Sequence, residues 1–321
     1  MSHRLSLEQI EQAASLIDPV FLNTPQFICE PLADALGTNL VLKVETMNPI
    51  RCFKGRGADF FMHSLRSSNL DTVPHLICAS AGNFGQALAY AGRKRGFKIT
   101  VYTAQSANPL KIERMRSLGA TVVLHSDDFD TAKLEANRVA QATGAQMVED
   151  GLEPKIAEGA GTIALELLRA PVHLDALLIP LGNGALLTGI ARVMKAHSPK
   201  TRIVAIQATG APAMIESWRT GKVIEHDKVD TICDGIAVRV PIPEAVDDMK
   251  GLVDDALLIS DKATIRAMRL LHEHIGLVTE PSGATGIAAL IENQDLFKGQ
   301  NVGTVICGGN VTPEQMKHWL S

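Results

Sequence analysis

The sequence predicts an α/β protein with two open, mostly parallel twisted sheets and helices on both faces. Three observations lead there. Short apolar runs alternate with longer segments whose apolar residues recur at helical spacing. The short runs are apolar throughout, the pattern of strands buried on both faces. They also fall into two series, with no low-complexity linker and no internal repeat between them.

In chain order, "MSHRLSLEQIEQAA" carries charges at helical spacing, and strand patterns follow at 26–29 and 39–45. The first series is "HLICAS" (75–80), "KITVYTA" (98–104) and "TVVLHS" (121–126). Helical segments "NFGQALAYAGRKRG" and "NPLKIERMRSLGA" separate its members. The second series is "ALLIPLG" (176–182), "RIVAIQAT" (202–209), "ALLIS" (256–260) and "VGTVICGG" (302–309), with helical stretches such as "DKATIRAMRLLHEHIG" between. Helical crossovers imply parallel pairing. With no linker, the chain is expected to cross between its two halves more than once. A ligand would then lie in the crevice at the carboxyl ends of the strands.

Composition narrows the function. The 321 residues are 46% apolar and 21% charged, the balance of a soluble globular chain, and are enough for two domains. A net charge of −4 leaves no electrostatic footprint for nucleic acid. The basic cluster Arg93-Lys94-Arg95 reads as a solvated helix end. No apolar run approaches the roughly 20 residues that span a bilayer, and no signal segment opens the chain, so a cytoplasmic location is expected. Five scattered cysteines without a CxxC pair suit reduced thiols. The ten histidines show no HxxxH or HExxH spacing, which argues against a metal hydrolase.

Glycine-bearing strand ends carry the candidate chemistry. Ser80-Ala81-Gly82-Asn83-Phe84-Gly85 opens a helix after "HLICA" and suits a carboxylate, or is an ordinary N-cap. Gly182-Asn183-Gly184-Ala185 precedes "LLTGIARVMKAH" and is either a phosphate cradle or a tight βα turn. "CDGIAV" (233–238) and Cys307-Gly308-Gly309-Asn310 end later runs, the thiols being core packing or weak hydrogen-bonding groups. Lys54, in "NPIRCFKGRGAD", sits between Phe53 and glycines. Partial desolvation there would favour a neutral amine, which forms Schiff bases with aldehydes. A Schiff-base lysine, a phosphate cradle and a carboxylate loop together meet the needs of pyridoxal phosphate chemistry.

The chain resembles the fold-type II pyridoxal-phosphate enzymes, the tryptophan synthase β-like fold, and within them the serine/threonine dehydratases and serine racemases. The motifs that carry the resemblance run in the family's order: "TPQF", "NPIRCFKGRGA", "SAGNFG", "GAGT" (159–162), "PLGNGALLTG", "TICDGIAV", "EPSGA" (280–284) and "CGGN". The resemblance implies that Lys54 carries pyridoxal 5'-phosphate as a Schiff base and shuttles the Cα proton. Gly182, Asn183, Gly184, Ala185 and Leu186 would offer backbone N–H groups to its phosphate. Asn83 would bond the ring's 3-oxygen, Phe53 would pack beside the ring, Gly235 would lie by the substrate, and Cys307 would face the pyridine nitrogen. Ser80, Ala81 and Gly82 would hold the amino-acid carboxylate. The implied organisation is a small hinged domain, 47–149, on a large cofactor-binding domain built from 1–46 and 150–321.

Several positions depart from the family pattern. Arg51 and Cys52 replace a usual glycine and serine, and Phe84 replaces a common histidine. Arg51 accordingly either faces solvent or braces the small domain, or is, with Phe84, a candidate wall of the substrate pocket. Gln207 and Ala213 stand where the family's divalent-cation carboxylates are expected, so no metal is expected there. A neutral thiol at the pyridine nitrogen suits direct β-elimination, and Ala81 replaces the racemases' serine. The expectation is a dehydratase (ammonia-lyase) acting on serine, threonine, or a bulkier analogue such as phenylserine or hydroxyaspartate. The competing readings are an amino-acid racemase, a β-replacement enzyme of the same fold, and a non-catalytic metabolite-binding module. The expected partner is the amino-acid substrate, with no nucleic acid and no membrane; a homodimer is the assembly considered.

Overall fold

The computed structural model describes residues 3–67 and 73–321. Ten strands form two sheets. β1 (Gln26–Ile28), β2 (Asn39–Val44), β7 (Ala176–Pro180), β8 (Arg202–Ala208), β9 (Asp255–Ile259) and β10 (Asn301–Ile306) make a six-stranded sheet in the order β1-β2-β10-β7-β8-β9. β3 (Leu76–Ala79), β4 (Ile99–Thr103), β5 (Thr121–Leu124) and β6 (Gln146–Met147) make a four-stranded sheet in the order β5-β4-β3-β6. All pairs are parallel except β1 with β2. Both sequence series therefore become parallel sheets, as expected. The two-residue β6 has no counterpart among the sequence patterns. It is too short for a period to register.

The apolar pattern explains the strand order. Every residue of β4 and β7 is buried, as central strands covered by helices on both faces require. Edge strand β5 is exposed or half-buried along its length. β2, from the start of the chain, pairs with β10, from its end, with Val41 opposite Gly303. Both chain ends thus build one sheet. No described helix is long and apolar enough to cross a membrane.

Glycines let three helices approach closely. A Cβ on Gly57, in the helix Lys54–Ser67, would collide with Ile156 O. One on Gly159, in the helix Pro154–Leu167, would lie 2.6 Å from Arg56 O, and one on Gly189, in the helix Ala185–His197, would collide with Ala157 O. The "RGA" and "GAGT" motifs are therefore packing motifs. They set the backbone that presents Lys54.

A buried charge network fixes the same junction. Arg56, with no solvent exposure, donates to Glu45 through Nε (2.9 Å) and Nη2 (2.8 Å), and to Glu166 through Nη1 (2.6 Å) and Nη2 (2.9 Å). Lys43 Nζ, on β2, donates to Glu166 Oε2 and to Thr24 O. Two cations face two carboxylates, and hydroxyls of Thr24 and Thr162 accept further Arg56 N–H groups. Buried ions are tolerable only when paired and bonded in this way.

Burial alone would raise the Glu166 carboxyl, but hydrogen bonds and charge from Arg56 and Lys43 hold it at about 2. A depressed carboxyl stabilises the fold above its ordinary value near 4.5, and that contribution disappears as pH falls toward 2. The linkage amounts to about 3 kcal/mol. Glu166→Gln should lower the thermal midpoint strongly at pH 7, where two buried cations then face one carboxylate. The gap between variant and wild type should narrow as pH is lowered from about 5 to about 2. A gap that stays constant over that range would contradict the account.

Candidate active site

Lys54 begins its helix where three backbone contacts tie the preceding turn to the end of β10. Phe53 N–H donates to Cys307 O (3.0 Å), Gly309 N–H donates to Arg51 O (2.9 Å), and Cys52 forms a bridge with Gly308. The turn is thereby added to the carboxyl end of the six-stranded sheet, and the lysine emerges at the crevice between the sheets. Its side chain is 14% exposed. Nζ contacts Asp150 Oδ2 and lies 4.9 Å from the centre of the Phe53 ring and 5.9 Å from that of Phe84.

A small cavity opens beside Lys54 and is lined by the loop after β7. Gly184 caps the helix Ala185–His197 with φ +95°, and no side chain caps that end. Only glycine takes that conformation readily. The N–H groups of the first turn have no acceptor within the helix, so they remain available to an anion in the cavity. A Cβ on Gly182 would lie 3.0 Å from Gly235 O, close enough to crowd the loop. Gly182, Asn183, Gly184, Ala185, Leu186 and Gly235 all line this cavity.

The second glycine loop forms the opposite wall. Ser80, Ala81, Gly82, Asn83 and Phe84 line a broader cleft continuous with Lys54. Ser80 Oγ accepts from the N–H groups of Gly82 (3.0 Å) and Gly85 (2.9 Å), so this hydroxyl braces its own loop. Asn83 Nδ2 donates to Glu280 Oε1 (2.6 Å), and its Oδ1 accepts from Asn310 Nδ2 (2.9 Å). The asparagine reaches the cavity in a fixed orientation.

Cys307 also lines the cavity, and its Sγ donates to Ser282 O (3.6 Å). Burial, reinforced by the neighbouring Glu280, pushes this thiol well above its ordinary range, so it stays neutral. Ser282 Oγ accepts from Gly235 N–H (3.0 Å), holding that glycine at the cavity edge.

Of the two places the sequence leaves for Arg51, solvent or a wall of the substrate pocket, the structure favours the first: it is exposed and lines neither the cavity nor the cleft. Its φ of +53° puts it in a left-handed turn, with its N–H bonded to Asn48 O and its carbonyl to Gly309. The side chain lies on the side of Arg114, whose guanidinium is lowered first by burial and then by the Arg51 charge. Phe84, by contrast, is at the cleft. At the positions of the family's cation carboxylates, Gln207 is buried with Oε1 accepting from Ile215 N–H, and Ala213 begins the helix Ala213–Thr220.

Sequence reasoning missed the acidic partners. Glu280 is buried beside Lys111, whose Nζ lies 2.7 Å from Asp234 and 3.7 Å from Glu280. Burial raises the Glu280 carboxyl and Lys111 opposes it. Burial would lower Lys111, but Glu280 and Asp234 outweigh it and hold the ammonium charged. The motif "EPSGA" marked the position of Glu280; nothing in the sequence marked Asp150, which meets Lys54 from 96 residues away.

A family profile described as "Pyridoxal-phosphate dependent enzyme" matches residues 17–308. The chain is 31% identical to the L-threonine ammonia-lyase of Thermotoga maritima over 307 residues, 96% of this chain and 76% of that protein. Among solved structures it superposes on the processed form of threonine deaminase isoform 2 from Solanum lycopersicum with a TM-score of 0.87 and 27% identity, covering 99% of this chain and 95% of the other. It superposes on maize serine racemase with a TM-score of 0.89 and 26% identity, covering 98% and 96%.

All five cysteines are free and buried. The native protein should therefore show no fast-reacting thiol toward a disulfide reagent at about pH 8, and all of them should react after denaturation. Rapid native reaction of Cys307 would contradict the neutral, enclosed thiol.

Proposed function

The chain belongs to the pyridoxal-phosphate dependent enzymes, in the serine/threonine dehydratase family, and on that premise we propose that it converts threonine or serine to a 2-keto acid and ammonia. It is a pyridoxal-phosphate dependent hydroxyamino-acid dehydratase. The observation that carries the substrate reading is the placement of a half-buried lysine between an uncapped helix N-terminus and a glycine loop, where its charge partner is Asp150 and, among the described residues, no arginine lines the cavity. A β-carboxylate, as in hydroxyaspartate, would meet Asp150 if held in this cavity, since Arg239 lines only the broader cleft.

The residues present fit the cofactor. Lys54 offers the amine, and the first-turn N–H groups after Gly184 offer the phosphate cradle, which a Cβ on Gly182 would crowd. Phe53 offers an apolar face, and Asn83, Gly235 and Cys307 complete the set of holding groups. When bound, pyridoxal phosphate supplies an aldehyde for amines and an electron-withdrawing ring that acidifies the substrate's Cα–H. Lys54 Nζ then takes the Cα proton and delivers a proton to the departing β-hydroxyl, which leaves as water. In the Ser80–Gly85 loop the N–H groups of Ser80, Gly82 and Gly85 are already bonded within the protein, so the carboxylate would be oriented by those of Ala81, Asn83 and Phe84. Cys307, neutral, adds no charge at the ring. Phe84 lines the cleft and would form the wall that a β-substituent touches.

Residues 47–149 form, in this reading, a small domain that closes on the rest. Contacts across the crevice support it: Lys111 with Asp234, Asn83 with Glu280, and Arg239 with Asp130. Each joins an element around the four-stranded sheet to one beyond it.

Incubation with threonine or serine should release keto acid and ammonia in equal amounts, with hydroxyaspartate poorer by at least about tenfold in kcat/KM, a difference near 1.4 kcal/mol. Lys54→Ala should abolish release while retaining the native circular dichroism. Appearance of D-serine from L-serine, with little pyruvate, would instead establish a racemase.

A further inference from the structure

Asp150 stands between β6 and the helix Pro154–Leu167, and the elimination described above does not use it. The residue is 7% exposed and lines the cavity next to Asn83 and Asn183. Its Oδ2 accepts from Lys54 Nζ, whereas its Oδ1 is buried with no hydrogen-bond partner. A buried carboxylate oxygen without a donor is unfavourable and uncommon. The neighbouring charges are matched among themselves, Lys111 between Asp234 and Glu280, and Lys133 against Glu149. Among the described residues, Lys54 is the one cation paired with Asp150.

The surroundings favour a primary ammonium. A carboxylate and the faces of Phe53 and Phe84 converge on one point, which the lysine's own Nζ occupies. Once Lys54 is committed to the cofactor its nitrogen is no longer a free ammonium. The carboxylate, already short of one donor, then needs another from the ligand.

Resting on the dehydratase reading, we propose that Asp150 determines specificity: its carboxylate receives a hydrogen-bond donor on the substrate's Cβ, a primary ammonium more tightly than a hydroxyl. The ligand class is the α-amino acid with a small β-amino or β-hydroxy group. A β-carboxylate is repelled.

The test uses stable conjugates in which phosphopyridoxyl is joined by a C–N single bond to alanine, serine or 2,3-diaminopropionate. Each is titrated calorimetrically into cofactor-free, full-length Lys54→Ala protein, where the lysine no longer occupies Asp150. The diaminopropionate conjugate should bind at least about tenfold more tightly than the alanine conjugate, with serine between them. Adding Asp150→Asn should bring all three within about threefold of one another. Equal affinities before that substitution, or an equal loss for all three after it, would overturn the assignment and leave the dehydratase reading intact. Failure of all three conjugates to bind would sink that reading first, and the specificity role with it. Should Asp150→Asn not fold, Asp150→Ser removes the same charge and is judged by the same comparison.

Discussion

Arg56 has no contact with solvent, and its guanidinium is shared between Glu45 and Glu166 across two elements of the fold. A cation in that position must be matched at every donor, because its charge cannot return to water without opening the core. The network therefore admits one relative placement of β2, the helix Lys54–Ser67 and the helix Pro154–Leu167. Two residues before Arg56 stands Lys54. The Lys54 amine is thereby positioned by the buried charge of the fold.

Close helix packing supplies the second half of that constraint. Gly57, Gly159 and Gly189 allow backbone to meet backbone where any side chain would collide. The apolar gain from such packing is small per residue, since glycine contributes no side chain. What it provides is position. The helix bearing Lys54 and the helix beginning at Ala185 are held on either side of Pro154–Leu167, so the amine and the uncapped helix end face a common cavity.

The cavity is polar at a few braced points and apolar elsewhere. Asn83 is pinned by Glu280 and Asn310, Gly235 by Ser282, and Ser80 braces its own loop. These supporting contacts fix the orientation of the groups that face a ligand. Asp150 differs from all of them, since its one side-chain partner is Lys54, the lysine proposed to carry the cofactor, and its other oxygen has none. The same low-dielectric surroundings that keep Cys307 neutral make that missing partner consequential.

Local order is legible in the sequence because it is written in local patterns. Uniformly apolar runs tell of strands covered on both faces, and the order of glycine motifs tells of loops at their carboxyl ends. Lys54, the Gly182–Leu186 loop, Asn83 and Cys307 follow from such motifs, and the fold brings them to one cavity. Arg51 shows the limit. Its proximity to Lys54 in sequence suggests a place in the pocket, but a left-handed turn bonded to Asn48 and Gly309 leaves its side chain outside. Asp150, Glu280 and Lys111 show the converse, as they meet the site from distant segments with no shared spacing. Sequence determined the elements, the candidate lysine and the glycine loops that end the strands, since each depends on neighbours a few residues away. Tertiary structure alone decided which charges face the lysine, because charge partners are selected by proximity in space and burial, and neither follows from order along the chain.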